Sequence, residues 1–147
     1  MKKNRKFWAA LIIFSLTGQV AWVVENMYFN VFIYKMFRAS AADIALMVTA
    51  SSVAATLTTI LIGALSDRIG KRKTIIVAGY LLWGLSVMSF GLVSVEGLEK
   101  LMPAAAAVQM AAILVIVLDS VMTFFGSSAN DAAFNAWVTD VTDDKNR

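Results

Sequence analysis

Four long apolar stretches dominate the pattern of hydrophobic and polar positions. None contains Asp, Glu, Lys or Arg, and each is about long enough to cross a hydrocarbon layer of roughly 30 Å as a helix. Because lipid offers no hydrogen-bond partners, a spanning segment must satisfy its own backbone groups, which favours helices. The charge-free stretches are residues 7–24, 44–66, 74–95 and 101–118. They predict transmembrane helices at about residues 8–36, 42–66, 74–95 and 104–131.

The same pattern argues against a membrane β-barrel. Barrel strands alternate between apolar and polar residues, whereas residues 113–118 are apolar throughout. The chain is 59% hydrophobic and 16% charged, against roughly 45–50% and 25% in soluble domains. We therefore predict an all-α membrane protein with four transmembrane helices and the lipid bilayer as a partner.

Two chemically versatile residue types are missing from the chain. It has no Cys, so it lacks disulfides and thiolate metal sites. It has no His, the commonest metal ligand and proton shuttle. We therefore expect no enzyme activity, no cofactor and no metal centre. The formal charge of +3 comes from cations that flank apolar segments, so no nucleic-acid partner is expected.

Lys and Arg are distributed unequally between the two sides of a four-helix topology. The N-terminal segment, the loop 67–73 and the tail 132–147 carry ten of them, and the opposite side carries Lys35, Arg38 and Lys100. Positively charged loops stay on the cytoplasmic side. We therefore predict a multi-pass protein of the cell membrane with both termini, the loop and the tail in the cytoplasm.

The segment GALSDRIGKRK at residues 63–73 resembles a signature of the major facilitator superfamily, found between the second and third helices. The resemblance implies a conformational latch, in which Asp67 and Arg68 hold the cytoplasmic side shut. It also implies that Gly63 makes a close helix contact and that Gly70 makes the turn. The matching positions are Gly63, Leu65, Asp67, Arg68, Gly70, Lys71, Arg72 and Lys73.

Members of that family have twelve helices, built from inverted repeats of three. The chain is thus expected to be the N-terminal part of a longer transporter, cut in the loop after the fourth helix, with the missing C-terminal helices as partners. Its end, WVTDVTDDKNR, loosely resembles the corresponding loop of the glycoside–pentoside–hexuronide cation symporters. That resemblance favours symport of a sugar or glycoside.

Polar residues inside the predicted spans form the candidate site. Ionisable residues in a membrane are costly, and they are functional candidates by default. In the family, the first and fourth helices line a central cavity for a small-molecule solute, and a carboxylate there could bind H⁺ or Na⁺ as the coupling ion. Packing through hydrogen bonds between helices is the alternative role. The candidate residues are Glu25, Asn26, Asp119, Thr123 and Asn130.

Two other functions remain open at this stage. Small multidrug-resistance exporters also have four helices and one Glu in the first, but they lack the 63–73 signature and the charge bias. A non-transporting tetraspan subunit that only binds partner helices is the second alternative. Solute binding by the complete gene product would distinguish it from a transporter.

Overall fold

The computed structural model describes residues 5–37 and 39–142, and these residues form helices and short connections without any strand. The α-helices are α1 (Arg5–Phe37), α2 (Ala41–Ile69), α3 (Arg72–Ser89), α4 (Val95–Glu99), α5 (Ala104–Gly126) and α6 (Asn135–Val141). A 3₁₀ turn, Phe90–Leu92, extends α3, and a π-helical segment, Ser127–Phe134, joins α5 directly to α6.

Four helical stretches of the described chain are long and apolar enough to cross a membrane. They are Arg5–Phe37, Ala41–Ile69, Arg72–Leu92 and Ala104–Val141. Many of their large apolar side chains point outward; Met88, for example, is 74% exposed. Such a surface suits contact with lipid, where exposed apolar groups have no hydration cost. The prediction of an all-α fold with four spans is confirmed.

Local chemistry defines the two tight connections around α2. Ser40 caps its start: the Asp43 amide donates to Ser40 Oγ at 3.2 Å, and the Ser40 amide donates to Asp43 Oδ2 at 2.8 Å. This reciprocal pair satisfies two amides that a helix start leaves free. At the other end Gly70 adopts φ +67°, a left-handed conformation that glycine reaches without steric cost. The chain reverses there into α3.

The last span differs most from its predicted boundaries. Helical geometry continues beyond residue 131 through the π-helical segment to Val141, where a tail had been expected. The segment is buried between α2 and α3, and Ala129 and Ala133 are fully inaccessible. Packing therefore extends the helix where the sequence becomes polar. Residues 143–147 of the predicted tail lie outside the described residues, as do residues 1–4 and Arg38.

The most extensive packing in the bundle joins α5 and the π-helical segment to α2 and α3. Here α3 approaches the π-helical segment so closely that a Cβ on Gly79 would lie 2.8 Å from Ala129 Cβ. Helices approach closely in lipid through such small residues. Helix α1 packs more loosely, and a groove of about 860 Å³ opens between it and α3. The main cluster is Ile33, Phe37, Ala39, Met47, Phe90, Val95, Ala111, Val115 and Met122.

Candidate functional site

A cavity of about 130 Å³ lies where the middle of α1, the first half of α2 and the last third of α5 meet. Helix α1 contributes Glu25 and Asn26, and α5 contributes Asp119 and Thr123. Ser51 of α2 forms another part of the wall. The two carboxylates come from residues 94 positions apart in the sequence, so only the packing of α1 against α5 brings them to one cavity.

A smaller cavity of about 30 Å³ adjoins the first and shares Trp22, Glu25 and Thr123 with it. Its other side is formed by the π-helical segment, including Asn130. The five residues that the sequence analysis selected within the spans therefore all line these two adjoining cavities. We call these two adjoining cavities together the polar cavity. Its walls include Glu25, Asn26, Asp119, Thr123 and Asn130.

The charge of the polar cavity is one-sided. Asp119 is only 5% exposed, and Glu25 is half-buried. Asp131 lines the smaller cavity. No Lys or Arg belongs to the walls of either cavity in the described chain. Carboxylates in such surroundings are costly unless a proton or a cation neutralises them, so the arrangement can bind one or the other.

Several residues of the polar cavity escaped the sequence analysis. Ser51 and Ser52 line the larger cavity from α2, and Trp83 of α3 lines the smaller one. Their positions carry no charge, and hydroxyls in spans are common packing groups. Of the aromatic residues of α1, Trp22 and Phe29 face the larger cavity, whereas Tyr34 is 63% exposed.

Asn130 is held in place by hydrogen bonds to two other residues. Tyr80 of α3 donates its hydroxyl to Asn130 Oδ1 at 3.1 Å, and Asn130 Nδ2 donates to Asp131 Oδ1 at 3.2 Å. Gly18 of α1 makes room for both, because a Cβ there would lie 3.0 Å from Tyr80 Oη and from Asn130 Oδ1. This contact fixes the end of the polar cavity nearest the π-helical segment.

The 63–73 motif forms a separate cluster centred on Arg72. Its Nη2 lies 2.9 Å from Asp67 Oδ1 at the end of α2 and donates to Asp140 Oδ1 of α6 at 3.3 Å. Arg72 Nε also pairs with Asp140 Oδ2. One guanidinium thus links α2, α3 and α6. Helix α6 continues to Val141 and thereby carries Asp140 to the start of α3.

Other residues of the motif lie on the surface of the described chain. Leu65 is 44% exposed, and Arg68, Lys71 and Lys73 are also exposed. No atom comes within 4 Å of a Cβ built on Gly63, so Gly63 makes no close contact with any described residue. Arg68, expected beside Asp67 in the latch, has no ion pair in the described part of the chain, where Arg72 takes that place.

Comparison with known proteins identifies one family. A family model described as Major Facilitator Superfamily matches residues 7–147, nearly the whole chain. No curated protein and no solved structure matches the chain significantly.

Proposed function

The chain belongs to the Major Facilitator Superfamily, a family of transporters, and we propose that it forms part of a secondary active transporter for a small solute. The transport cycle is alternating access, in which the solute cavity opens to one side of the membrane and then to the other. The driving force is the gradient of a coupling ion, H⁺ or Na⁺.

The observation that carries this proposal is the meeting of Glu25 and Asp119 at the polar cavity. Both belong to apolar spans, and no described cationic side chain shares the cavity walls. A carboxylate that neutralises its charge with H⁺ or Na⁺ can couple ion binding to occupancy of the same cavity. Thr123, Asn26 and Asn130 supply hydrogen-bonding groups for the solute beside it.

The cluster around Arg72 is proposed as one half of the conformational latch. Asp67 and Arg72 lie where α2 turns into α3, the position of the family signature. Asp67 is 64% exposed at its side chain, so its carboxylate is available to a second partner. We assign that partner to helices that complete the transporter. The exposed cations Arg68, Lys71 and Lys73 support the proposal that this end lies at the cytoplasmic face of the cell membrane.

Membership of the superfamily decides against a small multidrug-resistance exporter, which belongs to another class. The match does not select a branch, so the glycoside–pentoside–hexuronide assignment and a sugar solute stay predictions. The terminal residues of that resemblance, 143–147, lie outside the described chain. A tetraspan subunit without transport activity is the remaining alternative, and a transport assay decides between them.

The proposal is tested with the complete transporter in proteoliposomes that contain a pH-sensitive dye, with and without a Na⁺ gradient. Addition of a transported solute should move H⁺ through the protein, or Na⁺ when Na⁺ is the coupling ion. A panel of sugars, amines and amino acids serves as candidate solutes. Absence of solute-dependent ion movement, with every solute and with folded protein, would contradict coupled transport.

A further inference from the structure

Four polar side chains of the larger cavity donate a hydrogen bond within their own helices. Side chains that could donate hydrogen bonds into the cavity instead donate to the backbone carbonyl four residues earlier in their own helix. The bonds are Ser51 Oγ to Met47 O (2.7 Å), Ser52 Oγ to Val48 O (2.7 Å), Asn26 Nδ2 to Trp22 O (2.9 Å) and Asn30 Nδ2 to Asn26 O (3.3 Å).

The groups left to face a ligand are mainly acceptors. A serine hydroxyl has one proton, which its helix bond uses, so each serine offers a ligand only lone pairs; each asparagine amide keeps its oxygen and one N–H. Asp119, which is nineteen-twentieths buried, and Glu25 add carboxylate oxygens. Ser51 lies beside Asp119, but the Met47 carbonyl accepts its proton. The Thr123 hydroxyl and the Trp22 indole N–H also line this cavity, and neither donates a hydrogen bond to another described residue.

The remaining walls suit a positive charge. Trp22 and Phe29 line the cavity, and aromatic faces attract ammonium groups. From the adjoining cavity the Trp83 indole approaches Glu25, although its N–H makes no hydrogen bond of ordinary geometry. With no Lys or Arg in the walls, the positive charge has to come from the ligand.

We propose that the solute carries a protonated amine and that its ammonium group binds between Glu25 and Asp119; this rests on the transport function proposed above. The N–H groups donate to the carboxylates and to the serine and asparagine oxygens, while the adjacent carbons pack on Trp22 and Phe29. The two carboxylates can together neutralise two positive charges, one on the solute and one on the coupling ion.

Cavity size limits the part of the solute that enters. A cavity of about 130 Å³ is close to the roughly 150 Å³ that accommodates benzene, so an ammonium group with about four carbons fits. A neutral sugar fits the chemistry poorly. Its hydroxyls need acceptors and donors in similar number, and its binding would leave both carboxylates uncompensated.

The test uses three probes of five heavy atoms: n-butylammonium (charge and donors), tetramethylammonium (charge alone) and 1-butanol (neutral). The 147-residue chain is labelled with 5-fluorotryptophan in lipid nanodiscs and observed by ¹⁹F NMR. Trp22 and Trp83 line the polar cavity. Trp8 and Trp137 both contact Phe7, and Phe7 lies about 20 Å along α1 from Trp22. Trp8 and Trp137 therefore serve as controls: a shift of their resonances indicates that the probe has partitioned into the lipid.

We expect n-butylammonium to shift Trp22 and Trp83 but not Trp8 or Trp137, tetramethylammonium to bind less tightly, and 1-butanol to give no selective shift. Asp119→Asn and Glu25→Gln should each weaken the binding of n-butylammonium roughly ten- to a hundredfold. Glu99→Gln, which changes an exposed carboxylate at the end of α4, should have no effect. Circular dichroism of each variant confirms that it is folded.

The proposal would be overturned by equal shifts with 1-butanol, by shifts of all four resonances, or by no selective shift with n-butylammonium. A Trp22 shift with NaCl alone that n-butylammonium does not displace would assign the cavity to a metal ion, and would also overturn it. None of these results touches the coupled transport itself, because solute-dependent ion movement in proteoliposomes would still be found with a solute of another class.

Discussion

Arg72 connects three helices although its own position is electrostatically unfavourable. It is the first residue of α3, and a cation at a helix start opposes the helix dipole. Two carboxylates offset this: Asp67 from α2 and Asp140 from α6. Both are more than half exposed at their side chains, so water screens each pair and limits its contribution to stability.

Replacing Arg72 by Gln should therefore destabilise the fold by only about 1 kcal/mol in total, and less at high salt. The neighbouring Arg68→Gln removes the same charge from a residue without an ion pair among the described residues, and it serves as the control. Thermal unfolding in lipid at low and high salt provides the comparison. Equal effects of the two variants would mean that the Arg72 cluster is not formed.

Two glycines of α3 make a second prediction. Alanine has a higher helix propensity than glycine by about 1 kcal/mol, so Gly84→Ala, with no atom within 4 Å of its Cβ, should be neutral or stabilising. Gly79→Ala places its Cβ 2.8 Å from Ala129 Cβ. It should destabilise by about 1–3 kcal/mol. Unfolding temperatures of the two variants test the close contact, and a stabilised Gly79→Ala would contradict it.

Some site residues could be read from the sequence because charge in a span is itself a signal. Glu25 and Asp119 stand out in apolar surroundings, and their common cavity follows once the first and fourth spans pack together. Ser51 gave no such signal, since a hydroxyl in a helix can bond its own backbone without any ligand. The pairing of Asp140 with Arg72 carries no sequence signal either, because it depends on where a distant helix begins.

At the scale of elements, the π-helical segment determines how α6 meets α3. A π-helix has more residues per turn than an α-helix. The side of the helix on which a residue of α6 lies therefore cannot be calculated from α5 with a period of 3.6 residues. The segment is almost wholly buried and places Asn130 against Tyr80. An apolar pattern alone does not reveal a π-helical segment, which explains why the predicted end of the fourth span lay near residue 131.

Deleting one residue of the segment, Ala132, should convert it toward α-helix and rotate α6 by about 100°. The rotation would separate Asp140 from Arg72 and leave α5 unchanged. Because the chain has no native Cys, introduced Thr74→Cys and Asn135→Cys pairs can carry spin labels without background. Distances by electron paramagnetic resonance should change in the deletion variant. An unchanged distance distribution would show that the segment does not control the register.

At the scale of the whole molecule, the orientation in the membrane remains a prediction. Lys71, Arg72 and Lys73 lie where α2 turns into α3, and the opposite connection around α4 carries only Lys100 in the described chain. Reporter fusions after Lys6 and Lys73 should read cytoplasmic, and a fusion after Lys100 should read external. A fusion after Lys73 that reads external would reverse the topology and place the proposed latch on the wrong side.

In the proposed mechanism, carboxylates of the polar cavity couple a small solute to an ion gradient. Asp119→Asn keeps the size and hydrogen bonding of the side chain but removes its charge, and Glu99→Gln is the matched control at an exposed position. The measurement uses vesicles that contain the complete transporter. Solute accumulation is followed under an imposed H⁺ or Na⁺ gradient, and solute exchange is followed without a gradient. Asp119→Asn should lose gradient-driven accumulation and retain exchange, while Glu99→Gln retains both. Normal accumulation by Asp119→Asn and by Glu25→Gln would contradict the account.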